Sequence, residues 1–212
     1  MGSLKISGRR KKTKQPDFGT YHHSTSAGSK NIRAVVKDIF TDAFTSLPFG
    51  RNEELNILDV GCGLGFLSCV SAEFYKNAQI TGIDTFEHAS LKRSSLKKAK
   101  DNARILGFLH RIDFKMGDVF RFTPDEKFDI FVSNLVFHNF GKRRFEAYSR
   151  LSSWAQAGSF VVMGDLFFSP KTDTTHLAMR FNILKKIKPE SRGFGQYALL
   201  VMSNDSGQAR MD

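Results

Sequence analysis

Cysteine is nearly absent from this chain: Cys62 and Cys69 are the only two in 212 residues. That count rules out a disulfide framework and leaves too few ligands for a zinc-binding cysteine cluster. Long apolar runs are missing as well, and none approaches the roughly 20 residues that cross a bilayer. A basic N-terminus is not followed by the apolar core of a secretory signal. These absences lead to the expectation of a cytoplasmic protein that holds no metal and does not enter membranes. Acid is missing from residues 1–14, which carry Lys5, Arg9, Arg10, Lys11, Lys12 and Lys14.

What is present is ordinary in amount and uneven in place. Hydrophobic content of 41% and charged content of 25% suit a globular domain, and the length suits one well-buried unit. The net charge is +11, yet removing those six basic residues leaves 26 basic against 21 acidic in the other 198. About half the excess sits on one short arm, where it is suited to binding phosphates in a salt-sensitive way. The expected layout is a basic, flexible arm over 1–28, a single domain over 29–203 and a tail over 204–212.

Periodicity then gives the elements. Ile32, Val35, Val36, Ile39, Phe40, Ala43, Phe44 and Leu47 form one apolar stripe, predicting a helix over 29–47 with Ser29 as its cap. Strands follow at 55–60, 79–83, 112–116, 128–133 and 160–164. Helices separate them at 66–76, 87–107 and 142–157. The helix over 87–107 carries Lys92, Arg93, Lys97, Lys98, Lys100 and Arg104 on its charged side. After a short helix at 175–181, two more strands at 183–187 and 196–202 form an edge hairpin. Apolar strands alternating with helices mean a parallel sheet covered on both faces.

The densest signal is LDVGCGLGF, residues 58–66, with three glycines in five positions directly after the first core strand. Such a loop lets a ligand approach the backbone, and the helix it opens offers free N–H donors. The spacing is GxGxG, one residue short of the dinucleotide fingerprint GxGxxG. Asp59 stands two residues before the first glycine, a poor neighbour for a pyrophosphate and a good one for an ammonium group.

ILDVGCGLG, residues 57–65, resembles the first motif of the class I S-adenosylmethionine-dependent methyltransferases. The resemblance covers roughly residues 30–203. It implies a three-layer αβα sandwich around a seven-stranded, mostly parallel sheet with a terminal antiparallel strand, and it implies S-adenosyl-L-methionine as cofactor. It assigns the glycine loop Gly61, Cys62, Gly63 and Gly65 to that cofactor, with Asp59 near its methionine end. Asp84 and Thr85, after the second strand, fall where ribose hydroxyls are held. Gly117, Asp118 and Val119, after the third, fall on the adenine side.

The loop over 133–140 should border the transferred methyl. It offers Asn134, which also belongs to the cofactor side, and His138, the best candidate for a general base. Methyltransferases of exocyclic base amines often carry Asn-Pro-Pro-Tyr here, and this chain has Asn134-Leu135-Val136-Phe137 without either proline. Phe137, Phe140, Phe167 and Phe168 fall near strand ends, where they either stack a planar substrate or pack the core. Tyr21, His22 and His23 are placed to fold over the cofactor as a lid.

For the acceptor, the basic arm and basic helix favour RNA, with a small molecule such as a quinone-like metabolite as the alternative. A non-catalytic nucleic-acid-binding module on the same fold is a third reading, opposed by Asp59, Asp84 and Asp118. A nicotinamide-dependent reductase lacks both the glycine spacing and a Tyr-x-x-x-Lys pair.

Overall fold

A computed structural model of the chain describes residues 14–91, 93–190 and 194–204. The basic arm through residue 13, Lys92 and the tail from 205 lie outside the described residues.

The apolar stripe becomes helix α1, Ser26–Thr45, which buries Val36, Ile39, Phe40, Ala43 and Phe44. Its cap is Thr25, whose Oγ1 accepts from the Gly28 N–H at 3.0 Å. Ser29, the expected cap, lies a turn inside and is fully buried. Its hydroxyl accepts instead from the Tyr21 N–H at 3.0 Å, so the helix began earlier because a preceding segment supplies a partner for Ser29.

Seven strands form one sheet: β1 Asn56–Val60, β2 Gln79–Asp84, β3 Ile112–Met116, β4 Ile130–Asn134, β5 Phe160–Leu166, β6 Asn182–Ile187 and β7 Tyr197–Ser203. Their order is β3-β2-β1-β4-β5-β7-β6. All pairings from β3 to β5 are parallel, while β7 runs antiparallel to both β5 and β6. The last two strands do make the expected antiparallel pair at the sheet edge, with β6 outermost. Successive strand residues face opposite layers. Thus Ile57 joins the core beneath α1, α2 (Phe66–Phe74) and α3 (Leu96–Ile105), whereas Leu58 joins the core beneath α4 (Arg144–Trp154) and α5 (Pro170–Ala178). This is the expected three-layer αβα sandwich.

In-register parallel strands finish together. Val60 pairs with Ile83, Asp84 with Met116, and Asn134 with Gly164. The chain winds from β1 outward to β3, then returns to β4 on the other side of β1. The carboxyl ends of β1 and β4 therefore flank the crevice where such sheets bind ligands.

Three expectations shift. The long helix over 87–107 shrinks to α3, capped by Ser95, which accepts from the Lys98 N–H. Phe86 and Arg93 take φ of 58° and 60°, a left-handed geometry no α-helix accommodates. The helix over 142–157 becomes α4, preceded by a 3₁₀ segment, Phe137–Arg143, broken at Gly141. The short helix starts at Pro170 rather than 175, because proline's fixed φ and missing N–H suit a first turn.

The stretch over 17–25, read from the sequence as part of an arm, is tied to the domain. Arg33 donates to the carbonyls of Phe18 (3.2 Å) and Gly19 (2.6 Å) and lies over the Tyr21 ring. Asn102, buried on α3, exchanges two hydrogen bonds with the Asp17 backbone and donates a third to the Leu64 carbonyl. One amide thus ties this strap to the glycine loop.

Candidate active site

The glycine loop answers for its composition position by position. Gly61, Gly63 and Gly65 have φ of 74°, 52° and 80°, a region costly for any residue with a Cβ. A Cβ on Gly61 would stand 2.4 Å from a Val136 methyl, and one on Gly65 would stand 2.7 Å from the Phe114 ring. On Gly63 it would meet only the end of Leu91, at 2.9 Å. Packing therefore accounts for the outer two glycines, whereas a side chain on the middle one would meet only the flexible end of Leu91. Gly65 is not among the residues that line the cavity formed with Gly61, Cys62 and Gly63, and its lack of a side chain makes room for the Phe114 ring.

That cavity has a volume of about 770 Å³. Asp84 stands at its edge with both oxygens engaged by backbone. Oδ2 accepts from the Gly63 N–H at 2.9 Å and Oδ1 from the Phe86 N–H at 2.5 Å. A carboxylate has about four acceptor sites, so this arrangement orients the group and leaves lone pairs for a ligand's hydroxyls. Thr85 lines the cavity beside it. Asp118 orients in the same manner, accepting from the Phe120 N–H at 3.0 Å, with Gly117 and Val119 on either side in the cavity wall. Asp59 is deeper and 1% exposed. Its Oδ2 accepts from the Ser68 hydroxyl at 2.5 Å. Burial pushes its carboxyl up to about 7, with Ser68 partly opposing and Asp84 adding to the rise. Such a group gains most from a cation placed against it.

The strap roofs this side. Tyr21, His22 and His23, expected as a lid, are among the residues that line the cavity. Tyr21 makes a single antiparallel bridge to Leu91, and the His22 N–H donates to the Ser90 carbonyl at 2.9 Å.

The other half of the cavity is built from strands β4, β5 and β7. His138 follows β4, and its Nδ1–H donates to Asp165 Oδ1 at 2.5 Å. Oδ2 of Asp165 accepts from the His138 backbone N–H at 3.1 Å, and Oδ1 accepts from the Leu166 N–H at 2.7 Å. Asp165 is 2% exposed and His138 17%. A carboxylate only accepts, so the bond places a hydrogen on Nδ1, and in the neutral imidazole the lone pair is then on Nε2. That is the arrangement of an oriented general base. Asn134 also lines the cavity, and its Oδ1 accepts from the Tyr197 hydroxyl at 2.8 Å.

Of the four phenylalanines at strand ends, two face the cavity and two do not. Phe140 and Phe168 line it, the latter 61% exposed at its mouth. Phe137 and Phe167 are buried in the core beneath α4. Asp165 and Tyr197 were missed by sequence reasoning. An acid ending the otherwise apolar run of β5 was the signal available for Asp165; Tyr197 gave none. On α3, Lys97, Lys98 and Arg104 are exposed, and Asp101 pairs with both Lys97 and Arg104. Among the described residues no cluster of metal-ligating side chains occurs, and no helix is long and apolar enough to cross a membrane.

A family model described as a methyltransferase domain matches residues 51–167. The chain is 25% identical to malonyl-[acyl-carrier protein] O-methyltransferase 2 of Ilyobacter polytropus over 79% of its own length and 58% of that protein. It is 29% identical to a tRNA1(Val) (adenine(37)-N6)-methyltransferase of Vibrio campbellii over 41% of its own length and 34% of that protein. The chain thus spans between a third and three-fifths of the length of these relatives. In fold it is similar to the N-methyltransferase NodS of Bradyrhizobium japonicum, solved with S-adenosyl-L-homocysteine. That likeness has a TM-score of 0.60 at 14% identity and covers 82% of this chain and 86% of the other.

Proposed function

The chain belongs to the class I S-adenosylmethionine-dependent methyltransferases, and from that membership we propose that it transfers a methyl group to a small planar acceptor bearing a removable proton. The carrying observation is that one cavity of about 770 Å³ is lined by the glycine loop, three carboxylates and the His138 imidazole.

The residues fit the cofactor. Gly63 leaves room where a Cβ would intrude, Asp84 is pre-oriented by two backbone N–H groups, and the buried Asp59 suits an ammonium partner. In this reading Asp84 with Thr85 holds the ribose diol, Asp118 with Val119 the adenine edge, and Asp59 the amino group. When bound, S-adenosylmethionine supplies a methyl carbon on a cationic sulfur that departs as a neutral thioether. The protein's own work is to position the acceptor, exclude water and take a proton. His138 takes it at Nε2, and the Asp165 carboxylate beside Nδ1 stabilises the imidazolium that forms.

A small acceptor is favoured because the strap and the acceptor half enclose the same space. Ser24, Phe168 and Phe194 line it together with the glycine loop. RNA, the acceptor expected from charge, is the second reading. It is supported by the exposed cations of α3 and by the tRNA methyltransferase among the relatives, which matches over only 41% of this chain. The helix that carries those cations packs against β3, whereas Asn134 and His138 stand at the end of β4, on the other side of β1.

Incubation with radiolabelled S-adenosylmethionine and, separately, a small-molecule extract and total RNA tests the reading. Label in the small-molecule fraction, with calorimetric binding of S-adenosylhomocysteine, is expected. Label confined to RNA overturns the acceptor, and absent binding overturns the function.

A further inference from the structure

The acceptor half carries a pattern of hydrogen-bond donors and acceptors whose meaning rests on the methyltransferase reading above. Asn134 ends β4 and Gly164 faces it on β5, with Leu199 of β7 opposite Gly164. Tyr197, two residues before Leu199, reaches back across β5. Its ring passes over Gly164, where a Cβ would stand 2.1 Å from the hydroxyl oxygen and 3.0 Å from Asn134 Oδ1. Glycine is what lets the phenol through. The Tyr197 hydroxyl then donates to Asn134 Oδ1 at 2.8 Å. Tyr197 is 2% exposed, and its burial, together with the charge of Asp165, holds the phenol protonated, so it remains a donor.

The consequence falls on the other end of the amide. With Oδ1 taken, Asn134 presents its Nδ2 hydrogens, which have no partner among the described residues, to the cavity it lines. His138, with Nδ1 donating to Asp165, presents a lone pair at Nε2 in its neutral form. Beside the reacting methyl, then, the two side chains offer N–H donation from one and a single acceptor from the other.

We propose that this pairing selects an oxygen nucleophile, a hydroxyl on a planar acceptor, over an amine, with Tyr197 as the residue that sets the selection. A hydroxyl has one hydrogen and two lone pairs. Its hydrogen goes to Nε2, one lone pair accepts from Nδ2–H, and the second lone pair is free to attack. A primary amine has two hydrogens and one lone pair. Only one hydrogen finds an acceptor, and Nδ2–H competes with the methyl for the sole lone pair. An unmatched polar group in a closed site is strongly selected against. In the transfer, the acceptor oxygen forms its bond to the methyl carbon as the carbon–sulfur bond breaks, and the bonding pair stays on sulfur. The hydroxyl proton passes to His138 Nε2 and leaves to solvent afterwards.

The test uses the full chain with radiolabelled S-adenosylmethionine and matched planar pairs: catechol against ortho-phenylenediamine, and naphthol against naphthylamine. Wild type is expected to label the hydroxyl member of each pair at least tenfold faster than the amine. Tyr197→Phe frees the amide to turn over. It should lower hydroxyl turnover about tenfold and raise the amine-to-hydroxyl ratio, with S-adenosylhomocysteine affinity and cooperative melting retained. Asn134→Asp, which replaces donor by acceptor, should move the ratio the same way and further. A purely structural role for Tyr197 would lower both rates together and leave their ratio unchanged, which overturns the proposal. Equal or faster labelling of the amines by wild type also overturns it, as does no labelling of either hydroxyl compound while S-adenosylhomocysteine still binds. Loss of that binding in wild type would instead strike the methyltransferase reading itself.

Discussion

The two halves of the cavity are built in different ways. The half that holds the three carboxylates is assembled at the ends of β1, β2 and β3, with Tyr21, His22 and His23 lining it as well. Two of its carboxylates are oriented by backbone N–H groups, Asp118 by Phe120 and Asp84 by Phe86 and Gly63, and the third, Asp59, by the Ser68 hydroxyl. The acceptor half draws on β4, β5 and β7, and its decisive bonds join residues far apart. His138 and Asp165 are 27 positions apart, and Asn134 and Tyr197 are 63 apart. Local backbone geometry can prepare a site for a ligand of constant shape. A site that must choose among acceptors is assembled by packing, where a single distant substitution changes the chemistry on offer.

The largest expected effect separates the halves outright. His138→Ala should lower turnover by about 10²- to 10⁴-fold, the usual worth of a positioned base, while calorimetry with S-adenosylhomocysteine finds its affinity unchanged. Weakened cofactor binding in that variant would mean that the two halves are not separable.

A glycine comparison comes next. Gly65→Ala puts a Cβ against the Phe114 ring at positive φ and should cost about 1–3 kcal/mol in denaturant unfolding, with affinity retained by the folded protein. Gly63→Ala should unfold less readily than Gly65→Ala and lose affinity instead. If the order of the two stabilities reverses, the division of labour within the loop is wrong.

Asp84→Ala should weaken cofactor binding by about 1–3 kcal/mol through lost hydrogen bonds and leave the choice of acceptor atom untouched. A change in the ratio of oxygen to nitrogen labelling would show coupling between the halves.

The smallest effect is a pH slope. The Asp59 carboxyl, ordinarily near 3.8, is raised to about 7 in the fold, so the folded state binds the extra proton between those values. The stability linked to it is complete below about pH 4 and is lost as pH rises through about 7. Affinity for a cationic amino group runs the opposite way and strengthens as the carboxylate forms. Asp59→Asn should therefore melt at a higher temperature than wild type at pH 8, bind the cofactor more weakly and lose the pH dependence of binding. Thermal melts and calorimetry across pH 5.5–8.5 check both signs.

Much of this protein was legible in the chain alone because the information was local. An apolar stripe at helical spacing gave α1, alternating apolar runs gave the layers, and GxGxG after a core strand gave the cofactor loop. Asp59, Asp84 and Asp118 could be placed because each directly precedes or follows a strand end, and strand ends in a parallel sheet meet at one edge. Errors arose where a tertiary partner outweighed a local preference. Ser29 lost its capping role to Thr25 because Tyr21 needed a hydrogen-bond acceptor. The helix pattern gives way before Ser95, where Arg93 has a positive φ and Leu91 bridges to Tyr21.

By itself, then, the order of residues determined the fold class, the glycine loop after the first core strand and the place of His138 after the fourth, since periodicity and strand-end position follow from neighbours along the chain. Only the folded sheet decided that Asp165 holds the His138 imidazole, that Gly65 makes room for Phe114, and that the Tyr197 hydroxyl donates to Asn134 Oδ1. Those are relations between strands that are adjacent in space and remote in sequence, and hydrogen-bond direction at such a junction has no one-dimensional trace.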